Sequence, residues 1–244
     1  MSTNMKYLAL RLEGPLQSWG FDSQYNLRKT SLFPTKSAIA GMFCAAFGYA
    51  RGDNKELKFL EKFNKLHMLC ISIPRKLGNN AFLKVRRMHD YHTVGGGYNP
   101  NNHIERDCIT VSAKDGKPRA ENGQSLAVLT NRHYLSDALF GVLLQGDSDF
   151  VSGLADAIQN PVWGIWLGRK NCIPSSPVFA GIKDNKQSAL QLLIGENQIE
   201  KYTCQEDVKS FSDGIDSLND LAVSFNSDKR SFSLRRVKIV HGKP

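Results

Sequence analysis

The 244-residue chain lacks the short signatures that announce chemistry on their own. It holds no GxSxG, no GxxxxGK[ST] and no HExxH, which excludes a nucleophile elbow, a phosphate-cradling P-loop and a helix-borne zinc pair. Its five cysteines (Cys44, Cys70, Cys108, Cys172, Cys204) form no CxxC pair, and their spacing assembles no zinc site. An odd cysteine count with no secretory leader points to reduced thiols in a cytosol. Long apolar runs are missing too. The start, "MSTNMKYLALRLEGP", is broken by Arg11 and Glu13, and no stretch approaches the ~18 apolar residues of a membrane span. There is no internal repeat and no low-complexity tract. The expectation is a soluble, cytoplasmic protein with no membrane partner, no cofactor and no metal.

What the chain does have is positive charge. Lys and Arg number 32 against 23 Asp and Glu, a formal +9, while a 41% hydrophobic content is that of an ordinary globular protein of one or two domains. A polyanion or an acidic protein surface would suit such a chain. The basic residues are scattered over Arg28/Lys29/Lys36, Arg86/Arg87, Lys114/Lys117/Arg119, Arg169/Lys170 and Arg235/Arg236/Lys238, so only folding could gather them into a patch.

Periodicity sets out the elements. "KYLALRL" alternates like a strand. "FPTKSAIAGMFCAAFG" reads as a helix with Thr35 at its cap, an Ile39/Met42/Phe43/Ala46 stripe and Gly48 at its end. A polar helix around Lys55 to Leu66 precedes the strand "HMLCISI". "HYLSDALFGVLLQG" predicts a strand or strand pair, "SDFVSGLADAIQN" a helix capped by Ser148 or Asp149, and "PVWGIWLG" a further strand. In order this is the ferredoxin-like βαββαβ series, interrupted after its second strand by an insert from Lys84 to about Gln124. Beyond Asn171 come a "PSSP" linker, a short helix near Gln187 to Leu193 and a strand in "SFSLRRVKIVHG". The domain reading is 1–180 with the insert at about 84–124, then 181–244 as a small β-rich extension.

The insert is polar and long, and it holds Lys84, Arg86, Arg87, Arg106, Lys114, Lys117 and Arg119 beside His89, Tyr91, His92 and Tyr98. "HDYH" (His89 to His92) fails as a metal pair, because residues three apart on an extended segment face opposite sides. Rings on a basic segment suit single-stranded RNA, where aromatics stack on bases and cations hold phosphates; the bland alternative is a solvated loop. "PTKSA" places Lys36 and Ser37 at a helix start with free N–H groups, a further candidate for an anion. Arg169/Lys170 follow the predicted strand "PVWGIWLG". Gln17, Ser18 and Trp19 at the strand exit read as turn chemistry with a tryptophan plug ahead of direct contact.

Taken together and in order, "LRLEGPLQSWG", "FPTKSAIAG", "DYHTV", "YLSDALFGVLL" and "LGRKNCIPSSPVFAG" resemble the CasD family, the RAMP-type subunit of the type I-E CRISPR effector complex, Cascade. The resemblance spans about Tyr7 to Gly181. It implies an α+β chain: a ferredoxin-like (RRM-like) domain with a long β-hairpin thumb, which is then the insert. It also implies a non-catalytic subunit that holds the 5′ handle of the mature CRISPR RNA and caps the filament, next to the large subunit and the first backbone subunit. The candidate RNA contacts are Gln17, Trp19, Arg28, Lys29, Lys36, Ser37, Arg86, Arg87, His89, Tyr91, His92, Arg106, Arg169 and Lys170, and no residue is assigned a catalytic role. Two departures stand out. The C-terminal "RRVKIVHGKP" carries only Gly242 where RAMP proteins often have a glycine-rich loop, and type I-C relatives are endonucleases. The alternative function is therefore a metal-independent RNase using Tyr91, His89 or His92 with a lysine such as Lys84. A plain module for an acidic protein partner would use the charge and leave the aromatics unexplained.

Overall fold

Met5–Glu13 (β1) serves two cores at once, because Leu8, Leu10 and Leu12 face one side of a sheet while Tyr7 and Ala9 face the other. The computed structural model describes residues 4–23, 26–76, 82–83, 85–94, 120–121, 124–125 and 128–242. After β1 come two short strands, Leu16–Gln17 (β2) and Leu27–Arg28 (β3). Helices Lys36–Phe47 (α1) and Asn54–Asn64 (α2) lead to His67–Ser72 (β4). Two short pairs, Arg75–Lys76 (β5) with Phe82–Leu83 (β6) and Ala120–Glu121 (β8) with Gln124–Ser125 (β9), flank Arg86–Val94 (β7). Val128–Ser136 (β10), Leu139–Asp147 (β11), helix Ser148–Gln159 (α3), Phe179–Lys183 (β12) and helix Lys186–Ile194 (α4) follow. Thr203–Asp207 (β13), Asp216–Ser224 (β14) and Ser231–Val240 (β15) complete an α+β chain.

Seven strands form one antiparallel sheet in the order β12, β1, β11, β4, β13, β15, β14. Leu10 lies opposite Val142, and Val142 opposite Cys70, so one apolar row crosses three strands. Helices α1, α2 and α3 cover this face through Ile39, Phe43, Phe59, Phe63, Val151, Leu154 and Ile158. On the other face Ala189, Leu190, Leu193 and Ile194 of α4 pack on Ala9, Leu69, Ile71 and Leu143. Helix α1 follows its sequence pattern: all four stripe residues are buried, and Gly48 ends it in the left-handed region at φ 70°.

Three expectations change. Helix α3 is capped by Asp147, whose Oδ1 accepts from the backbone N–H of Asp149 (3.1 Å) and Phe150 (3.2 Å), rather than by Ser148 or Asp149. "PVWGIWLG" is an irregular segment: the Val162 N–H takes up the Ala46 carbonyl at the end of α1, and the Trp163 N–H shares the Ala45 carbonyl with Gly48. The strand that follows α3 is β12 instead. The expected boundary after residue 180 falls inside β12, and β13, β15 and β14 extend the same sheet outward from β4.

That outer part is fastened by buried charge. Arg235 on β15 donates to Asp220 on β14 (Nε to Oδ1 2.7 Å, Nη2 to Oδ2 2.6 Å) and to Asp207 on β13 (2.5 Å). Lys36 of α1 reaches the same Asp207 at 2.8 Å and donates to the carbonyls of Asn64 and Leu66. Two cations face two carboxylates, so the group is neutral as a whole, and each partner matters because an unpaired charge here would be desolvated.

Candidate nucleic-acid interface

The turn "EGPLQSWG" sends the chain out of the main sheet into a second, four-stranded one built from β2, β10, β3 and β7. Gln17 and Trp19 have no exposed surface. The Gln17 amide donates to the carbonyls of Leu12 (3.0 Å) and Ala138 (2.7 Å), and its Oε1 accepts from the Trp19 indole (3.1 Å). These two side chains therefore brace the junction between the sheets from inside and offer no side-chain surface to a ligand. As RNA contacts they are corrected.

The helix start at "PTKSA" is corrected for a related reason. The Lys36 side chain is 3% exposed and spent on Asp207, and the Lys36 backbone N–H donates to Asp220 Oδ2 at 2.9 Å. Asp220 is the anion that this helix terminus holds, which also explains why Thr35 makes no side-chain cap bond. Ser37 is half-buried beside the Thr35 hydroxyl, 3.5 Å away. Arg106 lies outside the described residues, as does Lys84.

The remaining candidates collect around a β-arm. Strands β7 and β10 pair antiparallel over nine residues, from Arg86 opposite Ser136 to Val94 opposite Val128. Register sorts their side chains. One face carries Arg87, His89, Tyr91 and Thr93 with Leu129, Asn131, His133 and Leu135; the other carries Arg86, Met88, Asp90 and His92 with Thr130, Arg132, Tyr134 and Ser136. His89 and His92 thus lie on opposite faces. The first face has no carboxylate among these eight residues, whereas Asp90 stands on the second.

On the first face the His89 and His133 rings stack, with centroids 4.6 Å apart and planes 8° from parallel. His89 Nε2 donates to Asn131 Oδ1 at 2.8 Å, which leaves Nδ1 free of that bond. Burial, then His89, Arg87, Arg169 and Lys29, hold the His133 imidazole below its ordinary pKa. Tyr91 beyond them is 61% exposed.

Arg169 reaches the base of the arm because of a glycine. Gly168 has φ 98°, and a Cβ there would lie 1.8 Å from the Ser18 carbonyl oxygen. With glycine, the 167–172 turn docks on the strand exit: Ser18 N–H donates to Leu167 and Leu167 N–H to Cys172. Arg169 then lies over the Tyr134 ring, 4.8 Å from its centroid, and donates Nη2 to the Arg28 carbonyl at 2.9 Å. Asn171 donates to the Tyr134 hydroxyl at 3.0 Å. Arg28, Lys29 and Lys170 fringe this base, with Lys29 paired to Asp22 at 3.0 Å. The fold therefore brings together Arg28, Lys29, Arg86, Arg87, His89, Tyr91, His92, Arg169 and Lys170, and it withdraws Gln17, Trp19 and Lys36.

Arg132, His133 and Tyr134 belong to the arm as well, and "NRHYL" repeats the basic-aromatic mixture of "RRMHDYH" as the signal for them. No group of three or more His, Cys, Asp or Glu among the described residues is arranged to hold a metal ion.

The family model described as CRISPR-associated protein (Cas_Cas5) matches residues 7–238. The chain belongs to that family. The match runs from β1 into β15, so both the arm and the Arg235 ion cluster lie within it. Among curated proteins the chain is similar to the Cascade subunit CasD of Escherichia coli strain K12, 29% identical over 178 residues, covering 72% of this chain and 70% of that protein. Among solved structures it is similar to a chain of a CRISPR RNA-guided surveillance complex, with a TM-score of 0.70, 26% identity and coverage of 96% and 89%. A crystal structure of a Cas protein, at 23% identity with a TM-score of 0.61 and coverage of 96% and 93%, shares the fold.

Proposed function

We propose that this chain is a non-catalytic, CRISPR RNA-binding subunit of a Cascade-type complex, holding the 5′ handle of the RNA beside the large subunit and a backbone subunit. One observation carries the reading: in a Cas5-family chain similar to a Cascade subunit, the β7/β10 arm presents cations and exposed rings on a carboxylate-free face. Arg87, His89 and Tyr91, with His133, supply that face. Arg28, Lys29, Arg169 and Lys170 supply charge at its base, where phosphates of a strand lying along the arm would run.

The strand order β12, β1, β11, β4, with helices in both crossovers, supports the ferredoxin-like reading of the first part of the chain. The paired β7 and β10 support reading the insert as a hairpin thumb, with arms that reach Ser136. Residues 181–244 are then an extension of that domain, tied to it where Lys36 and the Met68 N–H bond Asp207 and the Lys36 N–H bonds Asp220. No helix of the described residues is long and apolar enough to cross a membrane.

The RNase alternative needs a base and a cation on one reacting centre. His89 and His92 lie on opposite faces, and His89 is already engaged by Asn131 and the His133 ring, which favours a holding role. The test is co-expression with the other complex subunits. CRISPR RNA of uniform 5′ end should copurify with the wild-type assembly and be depleted at least tenfold per complex by Arg87→Ala with Arg169→Ala. Clean cleavage of repeat RNA by the isolated chain in EDTA would overturn the reading.

A further inference from the structure

Two imidazoles stacked face to face in a ring of cations form an unusual surface. His133 on β10 is faced by Arg87 and His89 from β7, by Arg169 from the 167–172 turn, and by Lys29 after β3 with its partner Asp22; Tyr91 and Asn131 complete its face of the arm. Among the described residues the charged groups that act on His133 are cations, and Asp22 beside them is already paired with Lys29, so a proton on the His133 ring is opposed by its surroundings. The stack itself opposes a second one, since two imidazolium rings at 4.6 Å repel. An anion laid against the pair reverses this balance. His133 is the ring available to take that proton, because His89 is committed through Nε2 to Asn131 Oδ1.

We infer that the His89–His133 stack is a proton-linked phosphate subsite, at which an RNA backbone phosphate is received together with one proton. This rests on the RNA-binding reading above and deepens it: Arg87 and Arg169 hold phosphates at any pH, and the pair adds a contact that strengthens as pH falls through the histidine range. Linkage fixes the sign. The bound state holds more protons than the free state, so affinity rises on acidification by up to tenfold per pH unit between the free and bound pKa values.

The test uses the full chain and a 5′-hydroxyl oligouridylate of about twelve nucleotides, which has no group of its own titrating in this range once a terminal phosphate, with its pKa near 6, is left off. At fixed ionic strength, the Kd of the wild type should fall about tenfold from about pH 8 to about pH 5.5. In His133→Gln the same ratio should be under twofold, whatever its absolute affinity. NMR of the wild type gives an independent measure, since RNA should move the midpoint of the His133 titration upward. A pH-independent Kd in the wild type, a tenfold ratio kept in His133→Gln, or an unmoved midpoint on saturation with RNA each overturns the subsite while leaving RNA binding by the arm intact. Failure to bind at any pH overturns the RNA-binding reading and the subsite with it.

Discussion

Arg235 and Asp220 form a two-pronged pair, Nε to Oδ1 at 2.7 Å and Nη2 to Oδ2 at 2.6 Å, across neighbouring strands and almost entirely out of water. Arg235 belongs by sequence to a basic cluster, yet its charge is consumed inside the fold, and the Asp220 carboxylate it holds also terminates α1. Asp220→Ala removes three donors' acceptor at once. It should destabilise the protein by about 3–5 kcal/mol, the usual cost of leaving a buried charge unpaired. Urea denaturation measures this directly, and a loss below about 1 kcal/mol would mean that the cluster is solvated in the native state.

Asp207 makes the same cluster sensitive to acid. Burial pushes its carboxyl up, but Lys36 and Arg235 outweigh burial, and the net direction is downward. A carboxyl with a folded pKa below its unfolded value contributes stability that is complete above about pH 4 and is lost as pH falls through the folded pKa. The unfolding midpoint should therefore drop on acidification below about pH 4. Asp207→Asn should be less stable at neutral pH and show a shallower acid limb.

Gln17→Ala separates a brace from a contact. It leaves the carbonyls of Leu12 and Ala138 and the Trp19 indole without their buried partner, at a cost of about 1–3 kcal/mol. RNA affinity per folded molecule should stay within about twofold of wild type, because the side chain has no exposed surface. A large fall in affinity with unchanged stability would restore Gln17 to the binding face.

Much of this architecture is legible in the sequence, and the failures share a cause. Helix α1 is readable because Ile39, Met42, Phe43 and Ala46 carry their own period, and β1 because its alternation is local. Lys36 looks like a solvated lysine at a helix start. Only the arrival of β13 and β14, far along the chain, turns it into a buried ion with Asp207. Gln17 looks polar and available until the Ala138 carbonyl closes over it. His133 is hidden for the opposite reason: its meaning depends on ladder register with His89, which residues well over thirty positions away cannot announce. "PVWGIWLG" misleads because apolar content imitates a strand, while Val162 and Trp163 in fact close the end of α1.

Gly168→Ala tests how Arg169 is placed. The substitution meets both a φ of 98° and a Cβ 1.8 Å from a backbone oxygen, so the turn must move. The expected cost is at least about 2 kcal/mol, with Arg169 drawn off Tyr134. RNA affinity should fall with it, approaching that of Arg169→Ala. Equal affinity in Gly168→Ala and wild type would show that the guanidinium finds its place without the turn.

The two faces of β7 give the sharpest comparison. Arg87 and Tyr91 share a face with the histidine pair and with no carboxylate of the arm, while Arg86 and His92 share theirs with Asp90. A phosphate chain following the first face meets cations and rings; on the second it meets a carboxylate that repels it and that lies opposite Arg132. Arg87→Ala should weaken single-stranded RNA binding and reduce the slope of log K against log salt by about 0.7, the value for one phosphate contact. Tyr91→Ala should cost about 1–3 kcal/mol if its exposed ring stacks on a base, and should leave the salt slope alone. Arg86→Ala and His92→Ala should each change affinity by less than about 0.5 kcal/mol. All four positions are exposed, so stability confounds none of them. Equal losses on both faces would mean that the strand wraps the arm instead of lying along one side of it, and losses confined to Arg86 and His92 would place the RNA on the opposite face.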